Sequence, residues 1–516
     1  MKTRFGWMLI ALMVCSSIVA QTHITVDNPD TWSGEALRPY IGQTVIFDVP
    51  MIVCGNAHGN YTVSPWRRYQ PESHGFAGTA DYRSTVRINS SCMFSLSNVP
   101  SPTSAMNEPS HRCGEKIIGL KAKVISTSSL TWDGGEWSGN TRANLLNELP
   151  DLGDYRLLVC GFNLENYYMT WGSMGARSYA EHQNQRAKIS NALKQINADI
   201  FGLVELQQGD EAIAEIVSNL NTNLPGRNYK YFHDGEEGTY QKVDFVYDAN
   251  KVTPISDKPA ESNVEVQNRK KMMLFRENAT GEKFIYSINH FKAMNTGDEA
   301  RRVNEAKAVV DLYQQYSRNP KIRDKDVLFM GDLNCYAFTA PIKQFTDRGM
   351  IDLHRAFHND SSYSYMFGGL ASYIDHALCN ATIYRQITGM SAYHINSDED
   401  DNYNYQRSND QTMFRCSDHD PVLVGLKLDS TLLVDPLPSI NTFEVLTNNL
   451  NTITIRDAYN EGKASYYAIY TMQGGRVDLQ PITSIFQEVQ LPDNPGIYVL
   501  YIYADDQVYQ HKFIVP

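Results

Sequence analysis

The chain has 516 residues, 42% of them hydrophobic, 11% aromatic and 20% charged, a composition that can bury more than one core and excludes a disordered polymer. Its formal net charge of −12 gives no overall basic attraction for nucleic acid, so a polyanion would have to be held by a local patch or through a bound cation. At the N-terminus, Lys2 and Arg4 precede the apolar run Phe5 to Val14, and Ser16, Ser17 and Ala20 supply a small-residue exit. Residues 1–20 therefore read as a secretory signal, with Gln21 first after cleavage. The run is too short to span a bilayer and no later segment is apolar enough to do so. Lipid attachment at Cys15 is disfavoured because Val14 stands where a small residue is expected.

Residues 21–150 carry strand-like pieces at Gln43 to Val49, Thr85 to Asn89 and Lys116 to Ser126, separated by Gly-, Ser- and Pro-rich loops with no long helical period. This predicts a small β-barrel or sandwich, with an oligonucleotide-binding (OB-like) barrel as one form. Trp66, Arg67, Arg68, Tyr69 and Tyr82 are placed either to stack on bases or on a solvated loop of a structural β-domain, and the solvated loop is the preferred reading. Seven cysteines remain after the signal, an odd number, and an oxidising compartment permits disulfides while leaving at least one thiol unpaired. Cys160, inside Leu157-Leu158-Val159-Cys160, reads as that unpaired core residue, and no Cys-x-x-Cys spacing suggests zinc.

The central region, 151–430, changes character. Ser178 to Asn197 predicts a helix with Ile189, Leu193 and Ile196 on one face, followed by the strand Ile200 to Glu205. Glu299 to Ser317 repeats the pattern with Val303, Ala306 and Val310, followed by Val327 to Met330 and then Gly331-Asp332. Two helix-then-strand units, each ending in a carboxylate, predict a layered α/β domain with its site along one sheet edge. Asp332-Leu333-Asn334 and Ser417-Asp418-His419-Asp420 likewise place oxygen ligands and a histidine where apolar strands stop. Oxygen ligands converging from several strand ends suit a hard cation such as Mg²⁺ or Ca²⁺, and a neighbouring histidine supplies proton transfer, so these residues suggest phosphate-ester hydrolysis. The acidic run Asp398 to Asp401 reads as a solvated loop, since it lacks the spaced ligands and glycine of a calcium loop. After the linker Asp435 to Pro438, residues 436–516 show alternating strands at Tyr467 to Tyr470 and Gly496 to Tyr503 about a Gly474-Gly475 turn, predicting an all-β end domain.

Six blocks carry a resemblance: Gly161-Phe162-Asn163-Leu164-Glu165-Asn166, Ala198 to Glu205, Asn289-His290-Phe291-Lys292, Gly331-Asp332-Leu333-Asn334, Tyr373-Ile374-Asp375-His376 and Ser417-Asp418-His419-Asp420-Pro421. In this order, from about Tyr155 to Leu428, the chain resembles the endonuclease/exonuclease/phosphatase superfamily, the fold of pancreatic deoxyribonuclease and of apurinic endonucleases. The resemblance implies an α/β catalytic domain built as a two-layer β-sandwich flanked by helices, between an N-terminal β-barrel-like domain and a C-terminal β-sandwich. The overall layout resembles secreted bacterial extracellular nucleases, and the closing Lys512 to Val515 resembles, more loosely, a type IX secretion sorting tail. That implies an extracellular or cell-surface protein, contact with secretion machinery through the tail, and no other stable protein partner.

The resemblance further implies Glu205 as the principal carboxylate for Mg²⁺, with Ca²⁺ and Mn²⁺ as alternatives, and Asn163 and Asp418 completing or orienting that shell. Asp332 and Asn334 would position water and a phosphate oxygen, and His419, oriented by Asp375, would transfer a proton or contact phosphate. His290 would act at the leaving oxygen. Some family members pair this second histidine with a glutamate where this chain has Gln241, Lys242 and Asp244, which leaves its partner unassigned. Arg269 reads equally as a phosphate contact and as part of an ordinary basic loop with Lys270 and Lys271. The function implied is a nuclease acting on nucleic acid with low sequence specificity. The alternatives are a phosphatase or phospholipase-C-like hydrolase of inositol phosphates or sphingomyelin, and an inactive binding protein.

Overall fold

The computed structural model describes residues 22–429 apart from 29–30, 58–59, 101–110, 140–141, 173, 234–237, 239, 296 and 319–324, and, beyond 442, the strands between 443 and 515 with their 491–495 connection. The signal-like residues 1–20, the linker Asp435 to Pro438 and the Gly474-Gly475 turn lie outside the described residues.

In the central region apolar strands alternate between two destinations. Leu157 and Val159 face one way and Leu158, Cys160 and Phe162 the other, yet all are buried, so the strand Leu157–Tyr167 is covered on both faces. It lies in a sheet of six strands, ordered Tyr229–Tyr231, Gln241–Asp248, Ile200–Gln207, Leu157–Tyr167, Val422–Leu426, Ile387–Ala392. A second sheet runs Val252–Pro254, Lys270–Glu277, Lys283–His290, Val327–Asp332, Asp375–Cys379, Ile351–Asp352. Each sheet contains a parallel pair: Leu157–Tyr167 with Ile200–Gln207, and Lys283–His290 with Val327–Asp332. Between the sheets pack Val159, Ile200, Phe245, Phe275, Tyr286, Leu328, Met330 and Val424.

Helices cover both outer faces. Tyr179–Ile196, capped by the Ser178 side chain and ended by left-handed Asn197, buries Ile189, Leu193 and Ile196 against the first sheet. Glu299–Ser317 buries Ala306, Val309 and Val310 against the second. Burying each large aliphatic side chain is worth about 1.5–3 kcal/mol, more than helix propensity offers per residue, so the apolar stripe fixes where these helices lie. The result is the helix-flanked β-sandwich expected from the sequence.

The N-terminal region closes a five-stranded ring: Met51–Ala57, Asn60–Ser64, Phe94–Ser97, Ser129–Ser138, Lys116–Ser126 and back to Met51–Ala57. Thr44–Phe47 and Thr22–Ile24 extend from Lys116–Ser126, and Phe47, Val53, Val63, Phe94, Leu120 and Val124 fill the interior. The segment Thr85 to Asn89, expected as strand, is instead part of a helix, Ala80–Ser91. Its β-branched residues suggested a strand, but Thr79 caps the first turn, Thr85 hydrogen-bonds His74, and Asn89 donates to the Tyr69 carbonyl, so tertiary bonding overrides the propensity.

Two further expectations are corrected where the barrel meets the sandwich. The acidic run is not a solvated loop: Asp398, Glu399 and Asp400 are buried. Arg67 donates to Asp398 at 2.8 Å, Arg112 pairs with Glu399 at 2.6 Å, and Arg142 also binds Glu399. Nor is the Trp66 to Tyr69 segment a solvated loop or a stacking surface for bases. Arg68 is buried, Trp66 packs on the barrel core, and Tyr69 forms a β-bridge to Ala371. The two misread segments are each other's partners. Removing one member of such a buried pair costs about 3–5 kcal/mol, because the other charge is left in a dry site.

Beyond residue 442, a three-stranded and a four-stranded sheet face each other across Ile453, Ile455, Tyr467, Ile469, Val489, Leu500 and Ile502, forming the expected β-sandwich. All seven cysteines, Cys54, Cys92, Cys113, Cys160, Cys335, Cys379 and Cys416, are buried and unbridged, with Cys160 in the core as expected. Among the described residues no helix is long and apolar enough to cross a membrane.

The close approach of the two central sheets is testable at Gly202. A Cβ there would lie 2.3 Å from the Tyr286 hydroxyl and 2.8 Å from Ile288, with Tyr286 held by its bond to the Cys160 carbonyl. Gly202→Ala is expected to lower unfolding free energy by about 1–3 kcal/mol in urea denaturation through overpacking. Gly226→Ala, where nothing lies within 4 Å, should stay within a few tenths of a kcal/mol.

Candidate active site

Sheet register builds the site. His290 pairs with Asp332 across the parallel strands, and Asp332 pairs with Asp375 across the antiparallel ones, so three chemically active residues form one row at the end of the second sheet. Gly331 makes the row possible. It has φ +122°, and a Cβ there would lie 2.1 Å from the Asn289 carbonyl oxygen, a conformation and an approach that suit glycine. The first sheet contributes the opposite wall. Asn163 pairs with Val204, which places Glu205 just beyond it, and Asp418-His419 precede the strand Val422–Leu426.

Backbone strain concentrates here: Glu165, Asn166, Glu205, Asn334 and Arg415 all have φ between 48° and 65°. A left-handed non-glycine residue costs about 1–2 kcal/mol, so the surrounding contacts must hold these conformations in place.

The side chains converge. Glu205 Oε1 and Asp332 Oδ2 each lie 3.6 Å from His290 Nε2, and the three residues have ligand atoms within 4.8 Å of one another. Asp332 is fixed by Asn334, whose backbone NH and side-chain amide donate at 2.8 and 3.2 Å, and by the Asn163 amide at 3.1 Å. Because the Asn163 oxygen accepts from the Glu165 NH at 3.0 Å, that side chain is committed to orienting its neighbours. His419 Nδ1 bonds Asp375 at 2.8 Å, and its Nε2 lies 3.9 Å from both Asp332 and Asp418. Ser364, which sequence reasoning gave no role, donates to Asp375 Oδ2 at 2.7 Å.

The electrostatics divide the two histidines. Burial, aided by Arg269 and His419, holds His290 well below its usual value and keeps it neutral, and its Nδ1 is buried with no hydrogen-bond partner. For His419 burial opposes charge, but Asp375, Asp418 and Asp332 outweigh it and hold the imidazolium well above the usual range. Asp332 is pushed up to about 8, mainly by burial and, among its neighbours, by Asp375 and Glu205 against the opposing His419. Glu205 is raised by burial and by Asp418. Carboxylates that raise each other's pKa in this way would be relieved by a cation, and the ligand atoms of Glu205, Asp332 and His290 lie close enough together to hold a divalent metal, with Asp418 on the cleft wall outside that group.

These groups line a cleft of about 530 Å³. Arg269 and Lys292 lie along it, as do Gln241, Tyr336, Tyr365, Phe367 and Ile374. Arg269 donates to Gln241 at 2.5 Å, and its Nε has no hydrogen-bond partner. Its neighbours do not make an ordinary basic loop: Lys270 is buried on Glu305 and Lys271 on Asp244. Gln241 stands at the cleft, while Asp244 is buried against Lys242 and Lys271, so among the described residues neither of these reaches His290, whose nearby carboxylates, Glu205 and Asp332, face Nε2 rather than Nδ1.

A helix-flanked double sheet with carboxylates and histidines at facing strand ends defines a phosphoester hydrolase of the metal-dependent kind. Residues 147–419, just over half of the chain, match the Endonuclease/Exonuclease/phosphatase family, and the chain belongs to that family. No curated protein matches it. Among solved structures it is similar to a mannosyl-6-phosphatase of Bacteroides thetaiotaomicron (19% identity, 53% of this chain and 100% of that one, TM-score 0.38). It is also similar to the human nocturnin catalytic domain with bound sulfate (15%, 54% and 95%, 0.39) and to truncated TDP2 of Caenorhabditis elegans (14%, 54% and 99%, 0.37).

The Asp375–His419 bond gives a test. Asp375→Asn and His419→Ala are each expected to lower kcat by about 10²–10⁴-fold, and the double variant should be little worse than His419→Ala alone, since the aspartate acts through the histidine. Losses that multiply in steady-state kinetics would contradict the pairing.

Proposed function

We propose that this hydrolase is a secreted, Mg²⁺-dependent phosphodiesterase that cleaves nucleic acid with low sequence specificity. The observation that carries this reading is the cleft lining: Arg269 and Lys292 offer positive charge to a phosphodiester, while Tyr336, Tyr365 and Phe367 offer faces on which planar bases stack. Backbone contacts and stacking read no base edge, which accounts for low specificity.

Within the cleft Glu205, with Asp418 completing the shell, would hold the cation, and Asn163 fixes Asp332 beside them. When bound, the metal neutralises phosphate charge and stabilises the crowded transition state. Asp332 and Asn334 orient the attacking water, and Asp332 accepts its proton. His419, kept charged by Asp375, donates from Nε2 to a phosphate oxygen or to the leaving group. Neutral His290 hydrogen-bonds the reacting oxygens rather than protonating them. Export is supported by the N-terminal charge-then-apolar pattern, and contact with a secretion apparatus by the closing strand of the C-terminal sandwich.

The test is incubation of residues 21–516 with supercoiled plasmid, RNA, a sugar phosphate, inositol phosphate or sphingomyelin, each with Mg²⁺, Ca²⁺, Mn²⁺ or chelator. Nicking of plasmid or RNA with Mg²⁺ and its loss with chelator are expected, and Glu205→Gln should reduce it by about 10²–10³-fold. Turnover of the monoester or lipid alone would replace the nuclease reading with a phosphatase or phospholipase one.

A further inference from the structure

The barrel does more than sit beside the sandwich, because it grips the short segment that orients the His419–Asp375 pair. The Arg67 guanidinium lies 4.3 Å from the Tyr363 ring centroid, and its Nη2 donates to Asp398 Oδ1 at 2.8 Å. The Tyr363 hydroxyl donates to the other oxygen of the same carboxylate at 3.0 Å, and the His394 ring stacks on Tyr363 at 3.9 Å and 5°. Arginine, aspartate and imidazole therefore fix this ring in position and tilt.

The next residue passes that constraint to the site. The Ser364 hydroxyl donates to Asp375 Oδ2, and its carbonyl accepts from the NH of Asp420, the residue after His419, at 2.8 Å. His394 Nδ1 bonds the Asp420 side chain at 2.9 Å, so both neighbours of the Tyr363 ring belong to the same network. Backbone bonds extend the grip. The Ala371 NH donates to the Arg68 carbonyl at 2.8 Å and the Gln70 NH to the Ala371 carbonyl at 2.9 Å. These tie down the hairpin Tyr365–Phe367 and Leu370–Ser372, whose Tyr365 and Phe367 line the cleft.

We infer that Arg67 of the N-terminal barrel is a positioning residue for the reaction, acting through Tyr363 and Ser364 on the carboxylate that orients His419. The inference rests on the hydrolase reading above and adds that the barrel is part of the catalytic apparatus. A barrel serving only as an adhesive neighbour would make all its interface arginines equivalent. Arg142, on Glu399 beside Asp398, shares the acidic run but has no role in the path through Tyr363 and Ser364.

The experiment compares full-length Arg67→Met, Arg67→Lys, Arg142→Met, Ser364→Ala and the Arg67→Met/Ser364→Ala double variant. Three quantities are read: the kinetics of bis(p-nitrophenyl) phosphate hydrolysis with Mg²⁺, thermal unfolding, and the downfield proton resonance of His419 Nδ1, assigned by its loss in His419→Ala. Arg67→Met is expected to lower kcat by about 10–100-fold with KM changed little, and to shift or broaden the resonance. Arg67→Lys, which keeps the charge but loses the planar stack, should fall between it and wild type. Arg142→Met should lower the unfolding temperature while leaving kcat and the resonance unchanged, and the double variant should be no worse than the poorer single one. Equal kcat losses in the Arg67 and Arg142 variants, or an unmoved resonance in both Arg67 variants, would overturn the inference. If wild type hydrolyses no phosphodiester, the functional reading fails by itself and the resonance still decides the positioning role.

Discussion

Mutual repulsion among buried carboxylates is the constraint around which this molecule is organised. Glu205 and Asp332 come from strand ends on the two sheets, with the partly exposed Asp418 on the loop before Val422–Leu426, and burial together with neighbouring carboxylates raises Glu205 and Asp332. Left alone, such a cluster would splay apart or take up protons. Here Glu205 and Asp332 are fixed by neutral donors, Asn166 on the first and Asn163 and Asn334 on the second, while the His419 imidazolium and the Arg269 and Arg415 guanidinium groups supply compensating charge. The sandwich, its flanking helices and the left-handed residues at the rim hold the carboxylates together against their repulsion, which is how a cation site can be formed before the cation arrives.

The same logic of compensated burial recurs where barrel and sandwich meet. Asp398 and Glu399 are fully buried carboxylates, and the arginines that neutralise them come from outside the sandwich. Ion pairs of this kind add little net stability over an apolar contact, but they are intolerant of losing one member. They therefore favour one docking geometry over another, and the geometry they select is the one that clamps Tyr363.

Much of the site was legible because strand chemistry is local. An apolar run that stops at Glu205 or Asp332 announces a charged strand end, and the order of the six blocks carried the superfamily fold. The helices Tyr179–Ile196 and Glu299–Ser317 were legible because their apolar residues recur at helical spacing within one continuous segment. What remained hidden depends on partners remote in sequence. Asp398 to Asp401 looks solvated to any reading that cannot see Arg67, 331 positions away, and Arg67 looks like a surface residue for the reciprocal reason. Ser364 carries no signal of its own, since a serine that orients an aspartate looks like any other until the sheet register is known. The helix Ala80–Ser91 was missed because its stabilising contacts to His74 and Tyr69 are tertiary while its β-branched residues point the other way.

The length of the loop closed by Arg67 and Asp398 has a consequence for how the chain reaches this state. During synthesis the barrel emerges first, and at roughly 5–20 residues per second its arginines wait on the order of a minute or less for their carboxylates. Until residues 398 and 399 arrive, the barrel presents exposed guanidinium groups and unsatisfied β-bridge positions, and the central sheets lack the strand Val422–Leu426 that joins Leu157–Tyr167 to Ile387–Ala392. The last ordering event is therefore shared by the two bodies, and a catalytically competent cleft forms only after nearly the whole of residues 22–429 has been made. A protein built this way keeps its phosphoester chemistry switched off while it is still a nascent chain.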